Sequence, residues 1–343
     1  MSSARWCVRL LRNSFPLETG ATEMAGRRFL LYFAWSRVLE EKASLGTLEN
    51  RYPALFELRR AIWPHYEWAA DGERYRQGIA GFLEHVILFD FQRFIQVILE
   101  ATGNAVTLVE RQSAEGGCSP LDDRLLSSAD TVIVVSLDHL VTEQTVDANE
   151  VAAVRRFLMR SGTALIVCPH HDVGAPPEQS AREVELLHHG DRLVSSQQRL
   201  GGVARSLLAE LGFPVENRYG LSPAAAPDGG PAPLDVATHL DTPGFLVGVE
   251  TFNLHAHLPH LWVPPALEGR VSVLARQLIH PSAPPHPFVE RGHDRFNAML
   301  WMPPDATRAG HLLVCDATIW SSAFGGLTSL NRFWQNLARM PAS

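Results

Sequence analysis

The chain has 343 residues, 46% of them apolar and 20% charged, with a formal net charge of -7. That length builds a large core without disulfides or structural metals, and the acidic balance argues against nucleic acid or an anionic membrane as the main partner. Four cysteines, Cys7, Cys118, Cys168 and Cys315, stand far apart with no CxxC, which excludes zinc ribbons and thioredoxin-type motifs and fits free thiols in a reducing, cytoplasmic compartment.

The opening stretch "MSSARWCVRLLRNSF" carries three arginines and no long apolar run, so it makes a poor secretion signal. With Met24 as a second start, residues 1–23 are expected to be a disordered extension. Residues 24–83 mix aromatic and charged residues, and Leu55, Leu58 and Ile62 recur at helical spacing. They are expected to form an N-terminal helical segment. No apolar run approaches the ~18 residues a bilayer crossing needs, so no membrane partner is expected.

From residue 84 to 343 strands and helices alternate. "HVILFDF" reads as a strand, and "QRFIQVILEATG" as a helix stopped at Gly103. "AVTLVER" and "DTVIVVSLDH" read as strands. "TVDANEVAAVRRFLMRSG" reads as a helix with Asp147 and Glu150 in a capping box and Gly162 at its close. "TALIVC" is a further strand. Buried strands separated by helices predict an α/β domain with a doubly wound, mostly parallel sheet. Later strands are expected in "FPVENR", "GFLVGVETFNLH", "VSVLARQLI", "NAMLWMP" and "HLLVCDATIW". "GGVARSLLAELG" and "SLNRFWQNLARM" read as helices.

Open parallel sheets bind ligands beyond the carboxyl ends of their strands. The expected strands deliver there Ser136, Asp138 and His139, then Cys168, His170, His171 and Asp172. Later ones bring His255, His257 and His260, then Cys315, Asp316 and Thr318. Eleven of the fifteen histidines fall between residues 170 and 293, more than core packing explains. Two chemistries suit this set. In one, His170, His255 and His257 hold a divalent metal such as zinc or iron, with Asp172 orienting a ligand or acting as base. In the other, Cys168 is a nucleophile whose proton passes to His255. Neither "GGVARS" nor "FGGLTS" has a phosphate-loop pattern, so no nucleotide cofactor is expected. The proline-rich "HPSAPPHPF" reads as a stiff loop.

The stretch 130–174 resembles the class I glutamine amidotransferase-like superfamily. There a strand ends in an apolar triplet and a nucleophilic cysteine at a sharp elbow, and a later strand ends in His-x-Glu. "ALIVCPHH" takes the place of the elbow and "GVETFNLHAH" that of the histidine strand, with Pro169 after the cysteine and His257 at the glutamate position. The closing segment "GHLLVCDATIWSSAFGGLTSLNRFWQNLARM" is similar to triad-less amidotransferase-like domains of transporter-accessory and gliding-motility-type proteins. The resemblance covers about residues 84–340 and implies a flavodoxin/amidotransferase-like fold. It implies a hydrolase-type enzyme for a small-molecule substrate, or a binding or scaffold domain that has lost the triad. Substrate, pathway and oligomeric state stay open.

Overall fold

The computed structural model describes residues 26–36, 88–112, 117–137, 144–170, 172–173, 180, 183–184, 198–199, 201–255, 258–322 and 324–341. The expected extension over 1–23 and residues 37–83 of the expected helical segment lie outside them. In chain order the strands are β1 (Phe29–Ser36), β2 (Thr107–Gln112), β3 (Thr131–Ser136), β4 (Ala164–Pro169), β5 (Asp172–Val173), β6 (Gln198–Arg199), β7 (Glu216–Leu221), β8 (Asp235–Val236), β9 (Leu258–Trp262), β10 (Ser272–Leu278), β11 (Arg295–Met302) and β12 (His311–Cys315). The helices are α1 (Leu88–Thr102), α2 (Asp123–Ser127), α3 (Ala148–Met159), α4 (Gly202–Glu210), α5 (Pro287–Glu290) and α6 (Leu327–Arg339).

Eight strands form one mixed sheet in the order β2-β1-β3-β4-β12-β11-β10-β8. The first five run parallel. The remaining junctions are antiparallel. A second sheet, β6-β5-β7-β9, follows from the end of β4. The period-2 alternation of a strand sorts the core. Leu31, Ile133, Ile166 and Leu313 face one cluster with Phe94 and Ile98 of α1 and Phe333 and Trp334 of α6. Leu30, Val132, Leu165 and Leu312 face the other, with Val154 and Phe157 of α3 and Leu207 and Leu208 of α4. Helices therefore cover both faces, and each fully buried side chain of this size contributes about 1.5–3 kcal/mol.

Three expectations are corrected. Phe29–Ser36 is a central strand rather than part of a helical segment. It is apolar on both faces, and periodicity does not separate such a run from a buried helix. "HVILFDF" does not make a strand within the described residues; α1 already begins at Leu88. Phe91, Phe94 and Ile98 fall at helical spacing and are 2%, 0% and 0% exposed, so the run belongs to the helix that follows it. Residues 244–255 form a turn at 245–248 and irregular backbone instead of a strand. Gly244 and Gly248 take φ of 76° and 69°, and the Asp241 carboxylate accepts from the Phe245 and Leu246 N–H groups at 2.9 and 2.7 Å.

The helix ends follow their sequence cues. Asp147 and Glu150 form the capping box of α3. Gly103, at φ 72°, closes α1 with its N–H on the Leu99 carbonyl. Glu150 also accepts from the Arg111 guanidinium and the Leu121 N–H, so one buried carboxylate ties α3 to β2. Arg27, 2% exposed, donates to Thr131 Oγ1 and to the carbonyls of Asp130, Gly162 and Pro341. It thereby fastens the amino edge of the sheet to the chain beyond α6. Among the described residues no helix is long and apolar enough to cross a membrane.

Candidate functional site

β4 and β12 lie side by side, with Val167 opposite Val314, so their carboxyl ends bring Cys168 to Cys315 and His170 to Asp316. Cys168 Sγ is 3.6 Å from Cys315 Sγ and accepts the Trp320 indole N–H at 3.2 Å. Both cysteines are fully buried. The reason is alternation: Ala164, Ile166 and Cys168 share the face toward the α1–α6 core. β4 runs straight through Cys168 to Pro169, where an elbow would have turned the cysteine out. Trp320 closes the carboxyl-end side. Its ring stacks on Phe91 at 5.8 Å and meets Phe94 edge-on at 5.6 Å. Burial pushes the Cys168 thiol well above its ordinary pKa, the neighbouring Cys315 adds to this, and the Trp320 N–H opposes it only in part. An activated nucleophile requires the opposite shift.

His170 stands just past the end of β4, 7% exposed. Its Nδ1 lies 3.7 Å from Asp316 Oδ1. Asp316, 2% exposed, follows β12 directly and caps the 3-10 turn Ala317–Trp320 by accepting from the N–H and hydroxyl of Thr318. Its other oxygen, Oδ2, is buried with no hydrogen-bond partner among the described residues. The Asn217 side-chain amide, on β7, donates to the His170 carbonyl. Gly201 backs the same point: a Cβ there would stand 2.9 Å from the His170 nitrogen, and its φ is 84°. The second sheet is thus fixed directly beyond the end of β4.

His255 sits in the turn-rich segment, half-buried, with its ring edge-on to Phe324 at 5.1 Å. Its N–H donates to Asn253 Oδ1. Asn253 in turn donates to the carbonyls of Thr318 and Ser321 at 2.6 and 2.9 Å, and its own carbonyl accepts from Gln277. His255 is therefore carried on a segment clamped to the turn after Asp316. Among the described residues, the Cys168 thiol makes hydrogen-bond contacts with Cys315 and Trp320. Asp172 lies on β5, opposite Arg199 and Arg218; its side chain and His257 lie outside the described residues. Among the described residues no group of three His, Cys, Asp or Glu is placed to hold a metal ion.

Cys168, Cys315, His170 and Asp316 were all named from their positions after strands. Asn217, Asn253 and Gln277 were not. Asparagine and glutamine inside strand and turn segments carry no periodic signal, and their role appears only when distant carbonyls are brought to them. No protein-family model matches the chain, and no match to it is found among the curated proteins.

Proposed function

We propose that the chain is a non-catalytic, amidotransferase-like binding domain that recognises a small molecule at the carboxyl edge of β4 and β12. Counted along the parallel strands alone, the order is 2-1-3-4-5, an order used by doubly wound folds that place ligands at this edge. The observation that carries the reading is Cys168. It is inside a strand, fully buried, sealed by Trp320, and its thiol is shifted away from the thiolate. Such a group packs and does not attack. The polar groups that remain, His170, Asp316 and the Asn253 clamp, suit recognition.

The test is thiol labelling of the native, full-length protein with iodoacetamide. Exposed Cys118 is expected to react while Cys168 is spared until the protein unfolds. Rapid labelling of Cys168 in the folded state, slowed by His255→Ala, overturns the reading in favour of a cysteine hydrolase.

A second reading is favoured by one contact. An imidazole beside a buried carboxylate, as in His170 and Asp316, is the pairing of a general base with the group that orients it. In that hydrolase-type reading the metal version adds His255 and His257 to His170, with zinc or iron bound. Metal analysis of the purified protein and of His255→Ala/His257→Ala checks it. Stoichiometric metal lost in the double variant supports it, and a metal-free wild type removes it.

A further inference from the structure

His260 belongs to the histidine-rich stretch, yet its surroundings are wrong for a metal cation. On β9 it stands opposite Arg218 of β7. Its Nδ1 accepts the Asn297 N–H at 3.2 Å, and Asn297 stands opposite Arg276 of β10. Both arginines therefore stand on strands neighbouring the imidazole, and both act on it electrostatically. Because Nδ1 is an acceptor, the neutral ring carries its proton on Nε2 and presents a donor. Burial, with His293, Arg218 and Arg276 all near, pushes its pKa down to about 4, so it stays a neutral donor at neutral pH.

Two carboxylates on these strands are engaged by arginines other than Arg276. Glu216 holds Arg218 at 2.7 Å, and Arg218 also lies 3.6 Å over the Trp262 ring. Asp235, opposite Arg276 on β8, is bonded at 2.8 Å to Arg295, which also reaches Asp294 at 3.5 Å. Arg276, half-buried, has no ion pair among the described residues. Beside His260 lies an aromatic cluster. Phe288 of α5 stacks on exposed His293 at 4.3 Å and leans on His260 at 4.8 Å. Tyr219 meets His286 and Phe288 at 5.1 and 5.3 Å, and Arg291 reaches its hydroxyl at 3.4 Å. Tyr219 is also the single non-glycine residue with positive φ, 60°, among the described residues. Such strain concentrates where a ligand is clamped.

We propose that the surface formed by β9, β10 and the α5 loop binds the oxyanion group, phosphate or carboxylate, of a small ligand. Arg276, His260 Nε2 and His293 donate to the anion, and half-buried Tyr219, backed by the buried Phe288 ring, forms an apolar wall beside the rest of the molecule. The proposal does not rest on the function assigned to the Cys168 and Asp316 edge.

The full chain is titrated with inorganic phosphate and, separately, with acetate, at ionic strength held constant with sodium chloride. Histidine side-chain NMR follows His260. The expected result is a saturable shift for at least one of the two anions. Tighter phosphate assigns a phosphate-bearing ligand, and tighter acetate a carboxylate. Arg276→Met is expected to weaken binding about tenfold, as loss of one charged hydrogen bond does, and Arg276→Lys to restore part of it. Shifts that merely follow sodium chloride overturn the proposal, as does unchanged affinity in the Arg276 variants. Should Arg276→Met fail to fold, the chloride comparison and the lysine variant decide alone.

Discussion

Trp320 covers Cys168, which strand alternation already turns toward the core, and removing it tests that cover quantitatively. The ring is fully buried against Phe91, Phe94 and Phe333. Trp320→Ala deletes these contacts and leaves a cavity the sheet cannot fill, so a loss of about 3–5 kcal/mol is expected. Trp320→Phe keeps most of the aromatic packing, removes the N–H to Cys168 Sγ, and is expected to cost about 1–2 kcal/mol. Urea unfolding gives both values from the midpoint and slope. Alkylation by N-ethylmaleimide, followed by mass spectrometry, gives the second reading, with exposed Cys118 as internal reference. If Cys168 reacts only through unfolding, a stability of ~5 kcal/mol slows it roughly four-thousandfold relative to a free thiol. Trp320→Ala then speeds it by a factor of roughly a hundred or more. A cost under about 1 kcal/mol for Trp320→Ala, or wild-type Cys168 labelling as fast as Cys118, refutes the reasoning.

Burial works to raise the Glu150 pKa, but hydrogen bonds from Arg111, Leu121 and Asp147 outweigh it and hold the carboxylate ionised; Glu150→Ala strands the buried Arg111 charge and is expected to cost about 3–5 kcal/mol by urea unfolding. Burial, reinforced by nearby cations, lowers the pKa of His260 and of His311 to about 4 from 6.5. Between those values the unfolded chain binds more protons, so stability is full above pH 6.5 and falls as the pH drops to about 4, by at most about 1.4 kcal/mol per pH unit for each histidine and less after solvent screening. Urea midpoints measured across that window check the slope, which His311→Gln is expected to flatten. Gly201→Ala meets both a φ of 84° and the His170 backbone at 2.9 Å. A loss of more than about 2 kcal/mol in thermal unfolding is expected, with Gly212→Ala, which has open space around it, costing less.

What the sequence shows of the fold follows from how local each determinant is. The strands β3 and β4 and the helix α3 announce themselves within a few residues, through β-branched runs and the Asp147–Glu150 box. β1 does not. "FLLYFAWS" is apolar up to its final serine because it lies mid-sheet between β2 and β3, and only that pairing tells it from a helix. The segment 244–255 misleads for the opposite reason. Phe245, Leu246, Val249 and Phe252 are buried while Val247 is exposed, because glycines and the Asp241 cap bend the chain so that burial occurs without a strand. At the candidate site, the edge residues are readable because strand ends can be read. Which face each takes depends on register, and Asn217 and Asn253 depend on carbonyls 47 and 65 residues away.

The motif "ALIVCPHH" joins two requirements that a single strand cannot meet together. A nucleophile must leave the sheet, which takes a sharp turn at the cysteine, with glycines where the backbone crowds. A buried strand residue must stay in alternation with its neighbours. In β4 the alternation is intact through Cys168, Pro169 extends the strand by one residue, and the first side chain past the strand end is His170. Displacing the exit by two residues hands the edge position from sulfur to imidazole. It also brings that imidazole to Asp316, the first residue beyond the neighbouring strand. The cysteine pair lies on the core side of the same two strands, and Trp320, delivered by the turn that Asp316 caps, donates its indole N–H to Cys168. In the proposed reading, recognition at this edge is therefore assigned to His170 and Asp316, and a substitution at Cys168 is expected to act on it through packing.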